Sequence, residues 1–196
     1  MTTVIGLFGH LPDADRAIHE LDAHGFGDTE ISVLARQEAL YDHLHGQYSP
    51  ARAGTAAGAT SGGRAGGLSS LLINHSALFL PGIGPVLTTG TLIATLSTAL
   101  AGAGPRAPGR APGPGLIGAL TGLGVSQDEA HFFAEGVKRG GVLAVVRADK
   151  PRVAEAQQVM QEANSLDVQV RTEEWKRSGW EHFDEKTMPD DDYWPL

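Results

Sequence analysis

Apolar residues recur along the chain in two periods, and the changes from one to the other mark its elements. Thr3 to Phe8 is β-branched and aromatic, which predicts a buried strand. A helix follows, with Pro12 in its first turn, Asp13 and Asp15 at its positive end, and Ala14, Ala17, Ile18 and Leu21 on one face. Gly25 ends it, and Ile31 to Ala35 alternates with period two, so residues 3–36 spell β-α-β. The same order returns late in the chain. Val142 to Val146 is an apolar run of strand length. Asp149 and Pro151 open a helix with Val153, Ala156, Met160 and Ala163 on its buried side, and Val168 and Val170 alternate with polar neighbours as a fourth strand. Just before it, Ser126 with Glu129 makes a capping-box pattern ahead of Ala130, Phe133, Ala134 and Val137.

Two β-α-β units joined most economically form a four-stranded sheet with both helices on one face, a ferredoxin-like α+β plan with right-handed crossovers. Pairing of such units between two chains is the alternative. The expected divisions are a first half over 1–36, a polar then Gly/Ala-rich linker over 37–67, an uncharged insert over 68–125, a helix plus second half over 126–172, and an acidic tail over 173–196.

Charge distribution singles out the insert. From Ala65 to Pro105 there is no Asp, Glu, Lys or Arg, and His75 is the one titratable side chain. Val86 to Ala101 is helix-compatible, with small residues four apart at Gly90, Ala94, Thr98 and Gly102. Gly115 to Gly124 repeats the spacing at Gly118 and Gly122. Such spacing lets helix backbones approach closely, and these residues with Gly82 and Gly84 are the candidates for self-association or membrane contact. The turn between the segments would be Ala103 to Pro114. A span needs about 20 apolar residues, and six Thr and Ser between Thr88 and Thr98 interrupt this one. A homo-oligomer contact or a shallow membrane contact is therefore expected before a full crossing, with an ordinary intramolecular core as the remaining alternative.

These residues together resemble a known family. Thr3-Val-Ile-Gly-Leu-Phe, Pro12-Asp-Ala-Asp-Arg-Ala, Gly25-Phe26 leading into Ile31-Ser-Val-Leu-Ala-Arg, Leu80-Pro-Gly-Ile-Gly-Pro, Gly118-Ala-Leu-Thr-Gly-Leu-Gly-Val and Glu135-Gly-Val-Lys-Arg-Gly-Gly look like the bacterial general-stress, heat-induced proteins of YflT type. The resemblance covers residues 3–172 and omits the tail. It implies stress-linked expression, a membrane association, and no catalytic residues to carry over. The Pro-rich stretch from Gly104 to Gly115 departs from it.

Composition narrows the rest. A formal charge of -8 is a poor match for nucleic acid, whose phosphates call for Lys and Arg. The absence of cysteine removes disulfides and thiolate chemistry. Met1 to Phe8 has no basic n-region and runs into Asp13 and Asp15, so a cytoplasmic start is expected, with any membrane contact peripheral at the inner face. Neither a nucleophile elbow nor a phosphate loop is found: Gly58 to Gly67 holds Arg64 but no Gly-Lys-Ser or Gly-Lys-Thr. Asp42, His43 and His45 lack a third ligand and read as surface residues, as do His10 and His19. His75 reads as a buried, hydrogen-bonded imidazole rather than a pH switch. The expected function is non-catalytic, without cofactor or metal, and a small-molecule-binding regulatory domain is the alternative. The tail from Glu173 holds eight acidic residues against three basic ones, yet also Trp175, Trp180 and Trp194. Aromatics are rare in disordered segments, so the tail is expected to dock on its own sheet or on a neighbouring subunit; a motif for another protein is the alternative.

Overall fold

The computed structural model describes residues 2–40, 68–71, 75–101 and 115–187. The first three elements follow the alternation of the sequence: β1 (Thr2–Phe8), α1 (Leu11–Ala23) and β2 (Ile31–Arg36). Ala14, Ala17, Ile18 and Leu21 are the buried face of α1, and Gly25 at φ 83° turns the chain so that Phe26 enters the core. After a single turn of helix, α2 (Leu68–Leu71), come β3 (His75–Leu80), β4 (Gly84–Thr89), α3 (Leu92–Leu100) and α4 (Gly115–Gly122). The chain continues as α5 (Gln127–Lys138), β5 (Val142–Ala148), a short 3-10 turn, α6 (Val153–Glu162) and α7 (Val168–Arg177). The capping box at α5 forms as expected: Ser126 Oγ accepts from the Glu129 N–H at 3.3 Å, and the Glu129 carboxylate accepts from the Ser126 N–H at 3.2 Å.

The protein is α+β, built on one five-stranded antiparallel sheet in the order β1-β5-β2-β4-β3. β5 pairs antiparallel with β1 on one side and β2 on the other, so β1 and β2 run parallel with β5 between them. Side chains alternate between two cores. Val4, Phe8, Ile31, Val33, Val142, Ala144 and Val146 meet α1 and α6, while Leu7, Leu34, Leu143 and Val145 meet the helices of the opposite face. The helices of the two β-α-β units, α1 and α6, share one face as expected, and a second layer of helices covers the other. The apolar run of β5 is buried on both sides, and α3, α4, α5 and α7 supply the second cover.

The strand expected at Val168 to Arg171 is helix α7. Asp167 caps it, its carboxylate accepting from the N–H groups of Gln169 and Val170 at 2.8 and 3.0 Å. One strand-like bond precedes the cap, from the Leu166 N–H to the Leu7 carbonyl at 2.7 Å, on the outer edge of β1. Val170 is 59% exposed, so its alternation with Gln169 marks no buried face. Trp175, one helical stretch on, supplies the anchor instead.

The insert is the other correction. The helix expected over Val86 to Ala101 is split into β4 and α3 by Gly90, and β3 with β4 forms a hairpin that extends the sheet from β2. Threonine suits the strand, and Gly90 at φ 64° takes the left-handed turn that L side chains resist. α3 and α4 do pack on each other, but without a glycine seam. Leu92 and Leu96 of α3 and Gly115 to Leu120 of α4 point inward, Gly118 among them, whereas Ala94, Thr98 and Gly122 are exposed. Gly102 and the turn from Ala103 to Pro114 lie outside the described residues.

A Cβ on Gly90 would stand 2.5 Å from Ser32 Oγ and 2.7 Å from the Ile31 carbonyl oxygen. Gly124, at φ 95°, has open space around it. Both substitutions to Ala incur left-handed strain of about 1–2 kcal/mol. Gly90→Ala adds a clash with backbone worth roughly a further 1–3 kcal/mol. Chemical denaturation of the two variants is expected to show Gly90→Ala as clearly the less stable.

Candidate functional site

The hairpin presents the uncharged segment to the surface in two ways. Register pairs Ala77 with Leu87 and Phe79 with Pro85, so these four share one sheet face. The helices α1 and α6 stand over β1, β5 and β2, and that cover ends near Leu87, where Leu68 and Leu71 of α2 join the core. Beyond it Ala77, Phe79, Pro81 and Pro85 are exposed, Phe79 at 62%. Leu78 and Leu80 turn to the other face and pack with the layer of α3 and α4. Among the described residues β3 pairs with β4 alone, and its outer edge carries no strand.

Hydroxyl groups hold the hairpin to the sheet. The β2–β4 ladder ends at Leu34 opposite Thr88. One residue further on, Thr89 Oγ1 accepts from the Val33 N–H at 2.9 Å, replacing the next backbone bond. Ser32 Oγ accepts from the Thr91 N–H at 3.0 Å and lies 3.2 Å from Thr91 Oγ1. Ser32 and Thr89 are buried and their hydroxyls stand in for ladder bonds, whereas the buried Thr88 hydroxyl has no hydrogen-bond partner among the described residues. On α3 the hydroxyls of Thr95, Ser97 and Thr98 donate to the carbonyls of Thr91, Ile93 and Ala94 at 3.1, 2.7 and 2.7 Å. The exposed side of α3 is thus less polar than its composition suggests, because its side-chain donors are directed into their own helix.

The tail forms the second candidate region. Trp175 is buried against Phe132 of α5, ring centroids 4.8 Å apart and nearly parallel, with Trp180 edge-on to it at 5.6 Å. The Arg139 guanidinium lies 4.8 Å from the Trp175 ring and pairs with the buried Glu135 carboxylate at 2.8 Å. Phe183 is buried too, beneath the Lys138 ammonium, which donates to Thr187 Oγ1 at 2.6 Å. The docking expected of Trp175 and Trp180 is on their own chain, and Trp194 lies outside the described residues.

Gly82 and Gly84, expected at a contact surface, are buried turn residues at φ 74° and 96°. A Cβ on Gly82 would meet Glu185 Cα at 2.6 Å, so the strap after α7 runs directly over the β3–β4 turn. Sequence reasoning missed this strap, whose small-residue seat at Gly82 is visible only once the chain is folded. It also missed that His131 of α5 and His182 of the strap meet, ring centroids 6.1 Å apart and edge-on. Burial first, then the charge of His182, pushes the His131 pKa down, against the opposing pull of Asp128 and a hydrogen bond with the Phe183 backbone. Burial and then Asp184 push the Glu185 carboxyl up.

Among the described residues no group of three or more His, Asp or Glu side chains is placed to hold a metal ion, and no helix is long and apolar enough to cross a membrane. Asp42, His43 and His45 lie outside the described residues, while His10 and His19 are exposed at and on α1, and His75, expected to be buried, is exposed at the start of β3. The chain matches no protein-family model, no curated protein and no solved structure.

A histidine whose pKa is lower in the folded than in the unfolded chain contributes stability in full above the ordinary imidazole value, about 6.5. That stability is lost as pH falls through this value toward the folded one. The raised Glu185 carboxyl has the opposite sign, its penalty being relieved on acidification within the carboxylate range. Thermal melts between about pH 7.5 and 5.5 are expected to show stability falling, and His131→Gln to flatten that fall. In a second measurement, Trp175→Ala should lower stability by about 3–5 kcal/mol, as loss of a buried aromatic does.

Proposed function

We propose that this chain is a non-catalytic assembly protein that associates with further copies of itself through the uncharged surface of its insert. The observation that carries the reading is one of charge placement. In a chain with a formal charge of -8, the hairpin and α3 hold no charged side chain, and yet Ala77, Phe79, Ala94 and Thr98 face outward. Copies of an acidic protein repel one another everywhere except where such a surface meets its like.

The finer fold reading supports a scaffold role. β1-α1-β2 with β5 between the parallel strands, followed by α6 on the same face as α1, is similar to a ferredoxin-like core. In this reading α7 stands where a fourth strand would lie, and the β3–β4 hairpin is an extension of the sheet. The small-molecule alternative would use the open sheet surface of such a core. Here that surface lies under α1 and α6 on one side and α5 on the other. The hydroxyl groups of Ser32, Thr89 and Thr91 serve the sheet itself, which favours a structural part for the polar cluster. The stress-linked role and a peripheral contact at the inner membrane belong to the same reading and rest on the resemblance; a cytoplasmic setting is proposed with them.

Sedimentation velocity across about a hundredfold range of concentration tests it. The average mass is expected to rise above that of one chain, and to do so equally in about 0.5 M salt, because a contact between uncharged surfaces is not screened. The mass of a single chain at every concentration, or association seen only with liposomes, would count against self-association.

A further inference from the structure

We infer that the contact is made by the outer edge of β3, which pairs antiparallel with the same edge of a second copy across a two-fold axis, so that two five-stranded sheets continue as one. This rests on the self-association proposed above and names its surface and its partner.

The two edges of the sheet are treated differently by the chain. Free edges expose rows of N–H and C=O groups, and proteins blunt them with charges, prolines, bulges or a covering segment. At β1 a covering segment is present: the Leu166 N–H bonds the Leu7 carbonyl, and the chain then turns into α7. Among the described residues β3 has none of these devices. His75–Leu80 contains no Lys, Arg, Asp, Glu or Pro, and its register against β4 runs without a bulge from His75 opposite Thr89 to Leu80 opposite Gly84.

The occupant follows from charge and symmetry. A strand of a partner with its own charges would bring polar groups against Ala77, Phe79 and Pro85, whereas a second copy brings a neutral strand and the same apolar face. An antiparallel pair about a two-fold axis is self-complementary by construction. Continuity of the faces restricts the register, since residues opposite each other must lie on the same side of the sheet. The two-fold axis therefore passes at Ala77 or at Leu78. The Leu78 register places each Phe79 opposite the partner's Ala77, covering the most exposed large apolar side chain on the hairpin. A six-residue edge is roughly 20 Å long. That is a small contact against the 1,200–2,000 Å² typical of stable complexes, and it sets affinity in the order of micromolar.

Because the chain has no cysteine, a single introduced one can form a disulfide only between copies. Ala77→Cys and Leu78→Cys, compared with Thr98→Cys on the exposed side of α3, are oxidised mildly and run without reductant. Facing residues on neighbouring antiparallel strands have Cα atoms about 4.5–5.5 Å apart, within disulfide reach. Crosslinked dimer is expected from position 77 or 78 and not from 98. Phe79→Lys, at an exposed site that leaves the fold intact, is expected to weaken association on the order of tenfold or more in sedimentation, with an unchanged melting temperature. Association that survives Phe79→Lys, or that crosslinks through position 98 alone, overturns the β3 contact while leaving self-association standing. A wild-type chain that stays single at all concentrations removes both.

Discussion

A strand with apolar side chains on both faces has to be covered twice, and β5 imposes that demand on the whole molecule. Val142, Ala144 and Val146 face α1 and α6, while Leu143 and Val145 face α5 and its neighbours. Each uncovered face would leave several branched side chains in water at about 1.5–3 kcal/mol apiece. The β-α-β units supply only one layer, so a second set of helices is required, and the chain takes it from the middle and the end of the sequence.

This demand accounts for much of the insert's character. Leu92 and Leu96 of α3 and the whole inward side of α4 lie in the second core, and a charged residue there would be buried without a partner. The same segment must also widen the sheet, since the layer above it extends past β2. β4 and β3 provide that width. Thr89 and Ser32 supply the hydrogen bonds where the backbone ladder stops. Among the described residues, what remains of the uncharged stretch after these needs are met is an exposed hairpin face and the outside of α3.

The acidic tail serves the second layer as well. Trp175 extends the aromatic core formed by Phe132 and Phe133, and Arg139 bridges Trp175 to the buried Glu135, giving that carboxylate the partner it needs. The strap beyond α7 then crosses Gly82, so the β3–β4 turn, the end of α5 and the tail are fastened together. Displacing the strap would bare a turn with two left-handed glycines beside the hairpin edge.

Local signals were legible wherever a property of one segment decided the outcome. The buried faces of α1, α5 and α6, the capping box at Ser126, the strand character of Ile31 to Ala35, the neutral insert and the aromatic anchors of the tail are all visible in residue order. Even the double burial of β5 was written in its unbroken apolar run. Tertiary structure alone decided that Val168 to Arg171 coils rather than pairs, that Gly90 is a turn rather than a packing seam, and that the hairpin joins β2 and leaves β3 at an edge. The physical reason is that side-chain period is set by a residue's immediate neighbours. The neighbour a strand pairs with, and the side on which a helix finds cover, are set by contacts a hundred residues away.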